Sequence, residues 1–508
     1  MNVSQQTPLA RAVVIGSGFG GLAAAVRLGA KGYQVTVLER LDAPGGRAYV
    51  YRQDGYTFDA GPTIITAPFL FEELWNLCGR RLEDDVRVVP CDPFYRIRFH
   101  DGDQFEYTGD ADAMRKEVER IAPGDLDGYE RFLKFTADVY RVGFGELVHR
   151  PFHTIASMMN VVPDLLRLKA YRSVYGLVSS FVRSEKLRQV LSFHPLLVGG
   201  DPTRTSAIYA LIAHLERAHG VHFAMGGTGA LVHGLVDLIE GQGGQVRCNA
   251  TVSRILVEND RAAGVELEGG ERIEADIVVS NADSAHTYLN LLPERKKRRW
   301  SRSKVERTAS SMGLFVWYFG TDRRYEDVPH HMILLGPRYQ ALLADIFRSK
   351  HLAEDFSLYL HRPTATDPSL APEGCDAFYV LSPVPHLEGD ADWEQMAERY
   401  RDAIASALEA TVLPGLGDAL ATSRMMTPID FRDRLLSYRG AGFGFEPVLM
   451  QSAWFRPHNK SEELEGLYLV GAGTHPGAGL PGVLSSAKVV ESLAPPASAF
   501  ASERVRVG

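Results

Sequence analysis

Val13-Val14-Ile15-Gly16-Ser17-Gly18-Phe19-Gly20-Gly21, and the later stretch Val35-Thr36-Val37-Leu38-Glu39, decide how this chain begins to fold. Residues 12–15 read as a buried parallel strand. Gly16 makes the tight turn out of it, Gly18 lets backbone N–H groups approach a pyrophosphate, and Gly21 lets the next helix pack on the strand. That helix, from about residue 20 to 31 with Phe19 at its start, aims its positive end at the phosphates. Glu39 ends the next strand at the spacing of a carboxylate that accepts both hydroxyls of an adenosine ribose, where a 2′-phosphate would be repelled. A lone G-x-G-x-x-G is weak evidence, but here strand, turn, helix and acid fall in place together. The unit reads as a dinucleotide site, and its acid argues against NADP there.

Directly after the acid come Arg40-Leu41-Asp42-Ala43-Pro44-Gly45-Gly46-Arg47-Ala48, then Phe58-Asp59-Ala60-Gly61-Pro62-Thr63. A nicotinamide enzyme has no use for a second Gly-Gly-Arg loop at this point. A larger cofactor, lying extended across the fold, needs more backbone donors and a cation. Gly45 and Gly46 are therefore expected to allow close approach, and Arg47 to supply the charge.

With 508 residues the chain is too long for one simple core, so two or three subdomains are expected. A formal net charge of −8 gives no reason to expect nucleic acid as a partner. The four cysteines, Cys78, Cys91, Cys248 and Cys375, form no C-x-x-C pair, so neither a zinc site nor a disulfide framework is indicated. Residues 1–11 are polar and lead straight into the first strand, which predicts no secretory signal. No apolar run reaches the ~18 residues of a membrane span.

Along the chain, residues 1–93 are expected to form the first segment of the dinucleotide domain, with segments at 226–290 and 441–494 returning to it. Residues 94–225 and 291–440 are expected to form a second domain, and 495–508 a loose tail. The second domain opens with a hairpin, 94–99 and 104–107, across Asp101-Gly102, and continues with helices at 111–121 and 126–147. Strands are predicted at 314–319, 356–360 and 377–381, with a helix at 393–413. Strands at 246–249, 252–257, 265–267 and 273–280 belong to the returning segment. No internal repeat is visible.

Several blocks make the chain resemble the FAD-containing amine oxidase superfamily, and within it the bacterial-type phytoene desaturases. They are Gly45 to Tyr51, Phe58 to Thr63, Phe193 to Gly200, Phe223 to Leu231, Asp355 to His361, Gln451 to Asn459 and Leu467 to Gly477. The likeness runs from the N-terminus to about Leu493. It implies an α/β fold: a Rossmann-like FAD-binding domain of the flavin amine oxidase type, an inserted mixed α/β substrate domain, and a helical membrane-facing region. It implies FAD as cofactor, held by Gly16, Gly18, Phe19, Gly21, Glu39, Arg40, Gly45, Gly46, Arg47, Gly61, Pro62 and Thr63. Val252 falls where related proteins offer backbone groups to the adenine. Gly473, Gly482 and Val483 are expected to face the ribityl chain and isoalloxazine, with a helix over 483–493 directing its positive end at the ring. Gly477 to Gly482 also spells G-x-G-x-x-G, but no ribose acid follows, so it is not a second dinucleotide site.

The resemblance implies desaturation of phytoene to neurosporene or lycopene, with hydride leaving to flavin N5 and a proton leaving the neighbouring carbon. No NAD(P) site is evident, so oxygen or a membrane quinone is the expected electron acceptor. The alternatives are a carotenoid isomerase, a desaturase of a C30 or hydroxylated carotenoid, a flavin amine oxidase, and a non-catalytic isoprenyl-lipid carrier on the same fold. The last is opposed by the intact phosphate loop and Gly45-Gly46-Arg47. No metal and no acid–base triad are assigned; His194, His361, His458 and His475 lie far apart, without a nucleophile nearby. The oligomeric state stays open.

Between Arg150 and Arg188 seven basic residues face only Asp164 and Glu185, interleaved with apolar ones such as Ile155, Met159 and Leu166. On the residues alone this reads as a pair of core-packing helices with solvated charges; the bilayer-dissolved hydrocarbon substrate that the resemblance implies makes it equally a basic amphipathic helix pair on an anionic lipid interface, with the protein peripheral on the cytoplasmic side of the cell membrane. The Lys/Arg run 295–299, ending at Trp300, could add to that face.

Overall fold

A computed structural model describes residues 10–294 and 299–500. Its first sheet has five parallel strands drawn from three separated parts of the chain. In order across the sheet they are Leu467–Leu469, Ile277–Ser280, Arg11–Ile15, Gln34–Leu38 and Gln245–Arg247. Such a sheet is covered on both faces, which is why its strands read as continuous apolar runs. Ala12, Val14, Ile277 and Val279 pack on one side with the helices Phe19–Ala30, Thr228–Gly241 and Leu480–Leu493. Val13, Ile15 and Val278 pack on the other, against a three-stranded antiparallel sheet of Val252–Glu258, Arg261–Leu267 and Arg272–Glu274. The single strand expected over 273–280 is thus two: 272–274 belongs to the small sheet and 277–280 to the parallel one.

The second sheet has seven strands, in the order Leu420–Met426, Gly313–Thr321, Asp376–Val384, Leu358–His361, His331–Leu334, Tyr95–Arg98 and Gln104–Tyr107. All neighbours are antiparallel except His331–Leu334 with Tyr95–Arg98. Gly313–Thr321 is buried along its whole length, and its two faces serve different cores. Phe315, Trp317 and Phe319 pack under the helix Trp393–Thr411. Leu314, Val316 and Tyr318 point the other way, toward Tyr51 and Phe58 of the first domain. That period of two turns one strand into the shared wall of the helical layer and of the space between the sheets.

Three expectations change. The helix predicted over 126–147 is α-helical only for Leu126–Tyr140 and continues as a π-helical segment, Arg141–Leu147. A Cβ on Gly143 would stand 2.9 Å from Leu211 Cδ2, so the wider turn brings two helices close together. The stretch 150–188 is not a helix pair but four short helices, Ile155–Met159, Val162–Arg167, Val174–Val178 and Glu185–Ser192. Side-chain caps from Thr154, Ser173 and Ser184 start three of them, and Pro163 opens the other. The tail is not loose as far as residue 500. Tyr33 Oη donates to the Pro495 carbonyl, the Tyr33 and Phe500 rings meet edge-on, and the Arg261 guanidinium lies 5.2 Å from the Phe500 ring centre. Residues 501–508, and positions 295–298 of the basic run, lie outside the described residues.

Candidate active site

One cavity of about 530 Å3 runs from the strand ends of the parallel sheet to the wall formed by the second sheet. One end of it is bordered by the glycine loop that opens the chain. Gly16 has φ +90°, and its N–H closes the turn on the Leu38 carbonyl at 2.8 Å. Gly18 caps the helix Phe19–Ala30, and Gly16, Gly18 and Phe19 line the cavity. Gly21 does not line it. A Cβ there would lie 2.1 Å from the Gly16 carbonyl oxygen, so Gly21 is the point where helix and strand touch.

Glu39 does more than end a strand. It is buried; Oε2 accepts from the Ser17 N–H at 2.9 Å and from Ser17 Oγ at 2.6 Å, while Oε1 accepts from the Leu41 N–H at 2.9 Å. Ser17 Oγ in turn accepts from the Gly45 N–H at 3.1 Å. The acid therefore fastens the first glycine loop to the second. Gly45 (φ +123°) and Gly46 (φ +57°) stand against Gly18, where a Cβ on Gly46 would come within 3.4 Å of Gly18 Cα. Side chains at these positions would fill the cradle.

Arg47 lines the cavity with its Nε donating to the Gly442 carbonyl at 2.8 Å and Nη2 to Ser437 Oγ at 2.9 Å. Burial pulls its guanidinium below the ordinary value, and Asp283 works in the opposite direction. Arg40 also lines the cavity, but its Nη1 is tied to the Asp433 and Arg434 carbonyls, bridging to the second domain. Gly61, Pro62, Thr63 and Val252 are wall residues too. At the C-terminal end, the helix begins at Leu480 rather than 483, and Leu480, Pro481, Gly482 and Val483 all face the cavity. Gly473 does not. It turns against Ser284, whose Oγ would sit 2.3 Å from an added Cβ, and Gly471 and Ala472 make the wall instead.

Other wall residues were not singled out from the sequence. Asn281 sits where two glycine-containing segments converge: Cβ atoms on Gly18, Gly20 and Gly471 would each come within 3 Å of its side-chain amide. The signal was its place just past the strand Ile277–Ser280, since ligands bind beyond the C-terminal ends of such strands. Arg456 supports the Ala472 wall from behind. Its three nitrogens donate to the Gln451, Ala472 and Phe445 carbonyls at 2.8, 2.7 and 3.1 Å. Away from the nucleotide end, the wall is chiefly aliphatic and aromatic, including Leu196, Ile208, Leu314, Val316 and Leu381. Among its polar members, which also include Ser206, Glu216 and Ser357, the hydroxyls of Thr63, Tyr359 and Tyr379 are bonded to one another.

Of the four motif histidines only His475 lines the cavity, and all four are engaged in contacts of their own. His194 meets the buried Glu216 at 3.1 Å, His361 meets His330 at 3.1 Å, and His458 meets the Trp454 carbonyl at 3.0 Å. His475 Nε2 lies 3.2 Å from the Leu147 carbonyl, and burial pushes its ring down to about 4, leaving it neutral. Sequence spacing indicated no metal cluster, yet the fold brings potential ligand atoms of Cys91, His330 and His331 within 4.8 Å of one another.

A model of flavin-containing amine oxidoreductases matches residues 19–490. The chain belongs to that family. Among curated relatives, a neurosporene-forming phytoene desaturase of Cereibacter sphaeroides is 50% identical over 98% of this chain and 96% of its own length. A lycopene-forming phytoene desaturase of Pantoea ananas is 48% identical over 94% of this chain and 98% of its own. A putrescine oxidase bound to putrescine shares the fold with a TM-score of 0.64, at 14% identity, covering 97% of this chain and 99% of that one. The family member described here is accordingly an FAD-dependent oxidoreductase with a mixed α/β flavin amine oxidase fold. Its residues fit the cofactor. The positive-φ glycine cradle, the acid at the second strand end and two helix N-termini all open on one cavity.

Proposed function

We propose that this chain is a phytoene desaturase, introducing double bonds into phytoene to give neurosporene or lycopene. One observation carries the reading: near-50% identity, over almost the full length of both chains, to enzymes bearing that name. The cavity supports it, because a mostly hydrocarbon-like wall continuous with a nucleotide cradle suits a polyene held beside a flavin.

In this reading FAD, when bound, supplies the two-electron acceptor for a hydride from an allylic carbon. Gly16, Gly18, Gly45, Gly46 and the Leu480–Leu493 helix start hold its phosphates and ribityl chain, and Arg47 supplies positive charge beside them. The aliphatic wall excludes water and fixes the hydrocarbon's position, so the protein's contribution is chiefly alignment. Oxygen or a membrane quinone then serves as terminal acceptor.

The substrate would reach the cavity from a bilayer. Ile155, Met159, Leu166, Tyr171 and Met450 are large apolar side chains left 60–65% exposed. Their neighbours Phe152, Met158, Val161, Leu165 and Leu449 line the cavity, so the same short segments serve both surfaces. Among the described residues no helix is long and apolar enough to cross a membrane. The reading is therefore of a peripheral protein on the cytoplasmic face of the cell membrane. Arg299 fits it less well than the sequence suggested, because its guanidinium lies over the Trp454 ring and donates to the Trp454 carbonyl.

Purified protein with FAD, added to phytoene-loaded liposomes, should yield red-shifted polyene absorption and a product lighter by pairs of hydrogens. Phytoene left intact both in air and with added quinone would remove the reading; a product of unchanged mass would point to isomerisation.

A further inference from the structure

A hydrocarbon offers no hydrogen-bond partner, yet one part of the cavity wall carries hydroxyl groups already bonded to one another. Thr63 Oγ1 lies 3.1 Å from Tyr359 Oη and 2.9 Å from Tyr379 Oη, and Tyr359 Oη lies 2.7 Å from His331 Nδ1. Thr63, Tyr359 and Tyr379 line the cavity; His331 is fully buried behind them. The other ring nitrogen of His331, Nε2, has no hydrogen-bond partner among the described residues.

Keeping such a group in an apolar wall costs desolvation, which its internal bonds only partly offset. Recognition of the substrate does not account for that cost. The reaction does impose one polar demand. Loss of a hydride from an allylic carbon leaves a cation, and the neighbouring carbon must then give its proton to an acceptor. The aliphatic side chains of the wall provide none, and the carboxylate that borders it, Glu216, is already engaged by Tyr95 Oη and His194.

We propose that Tyr359 and His331 are that acceptor, an inference that rests on the desaturase reading. As the neighbouring C–H bond breaks, its electron pair becomes the new C=C bond and its proton passes to Tyr359 Oη. The phenol's own proton moves in the same event to His331 Nδ1, which becomes part of an imidazolium. The first hydrogen leaves with both electrons to the two-electron acceptor that the cofactor already supplies, so charge and electrons balance. Thr63 and Tyr379 are positioning residues, holding the phenol oxygen at the wall.

The electrostatics agree with this direction of transfer. Burial and the nearby His330 and His361 hold His331 well below the usual imidazole range, so it is neutral and can accept. Burial holds the Tyr359 phenol well above its usual range, so it keeps its proton until it is replaced. A carbon acid beside an allylic cation is a far stronger acid than imidazolium, so the proton moves downhill even into this buried ring.

The test is single-turnover reduction of the FAD-loaded protein by phytoene, without oxygen, in H2O and in D2O. The C–H proton does not exchange with solvent but the phenol proton does. The relay therefore requires a solvent deuterium isotope effect in the wild type, and needs no variant to show it. Tyr359→Phe should lose about a hundredfold or more in rate together with the isotope effect, while flavin absorbance and phytoene binding stay unchanged. His331→Asn, which leaves the phenol in place, should also slow the step. Turnover with no isotope effect, or a Tyr359→Phe protein as fast as wild type, would overturn the relay and leave the desaturase reading standing. A wild type that leaves phytoene unreacted would remove both.

Discussion

Asp59 shows how one side chain couples two chain segments at the cofactor site. It ends the strand Tyr56–Asp59, and its Oδ2 accepts from the Thr228 N–H at 2.9 Å at the start of the helix Thr228–Gly241. Among the described residues Oδ1 is buried without a partner, and burial pushes the carboxyl from 3.8 up to about 6 despite the Thr228 and Gly229 N–H groups. The folded protein thus binds this proton more tightly than the unfolded chain. Its stabilising contribution is complete below about pH 4 and is lost as the pH rises to about 6, a span on the order of 3 kcal/mol. Asp59→Asn should flatten the pH dependence of urea unfolding across that window; identical slopes in both proteins would contradict the assignment. The Phe58 to Thr63 block was legible as a motif. The load on Asp59 was not, since it arises from a helix 169 residues further along the chain.

Short elements between residues 150 and 188 carry the proposed contact with the bilayer. Their mixture of apolar and basic residues was readable, but its three-dimensional use was not. Arg167 pairs with Asp164 at 3.2 Å and Lys186 with Asp101 and Asp103 at 2.6 and 3.0 Å, so part of the basic charge is spent within the protein. What stays available is the apolar face of Ile155–Met159 and Val162–Arg167. Ile155→Glu combined with Met159→Glu should weaken binding to anionic vesicles by about a hundredfold or more, since each side chain contributes roughly 1.5–3 kcal/mol when buried in lipid. Both positions are exposed and neither lines the cavity, so activity on detergent-dispersed substrate should persist. Cosedimentation with vesicles measures the effect, and unchanged binding would remove the docking face. The π-helical turn at Arg141–Leu147 belongs to the same scale. Its helical periodicity showed in the sequence, while the extra residue per turn answers to the packing of Gly143 on Leu211.

At the scale of the whole molecule, the cofactor cavity lies where two sheets face each other, tied by contacts such as Arg40 to the Asp433 and Arg434 carbonyls and Tyr318 Oη to the Ala60 carbonyl at 2.8 Å. A ligand filling that space should stabilise the folded form, by about 2.7 kcal/mol at one hundred times its Kd. The thermal midpoint by circular dichroism should rise with added FAD, and a midpoint indifferent to FAD would count against the cavity as its site. The sequence alone determined the nucleotide cradle, because Gly16, Gly18, Gly21 and Glu39 act through backbone geometry and short range, within one strand–helix–strand unit. It also determined the α/β class, since apolar periods of 2 and 3.6 are local properties. Only the tertiary structure decided that Gly473 turns to Ser284 while Gly471 and Ala472 form the wall, and that Asn281 fills the junction of two glycine segments. It alone set Thr63 against Tyr359, Tyr379 and His331, residues hundreds of positions apart. Those contacts depend on how separated strands register across the sheets, and no local pattern of residues encodes that register.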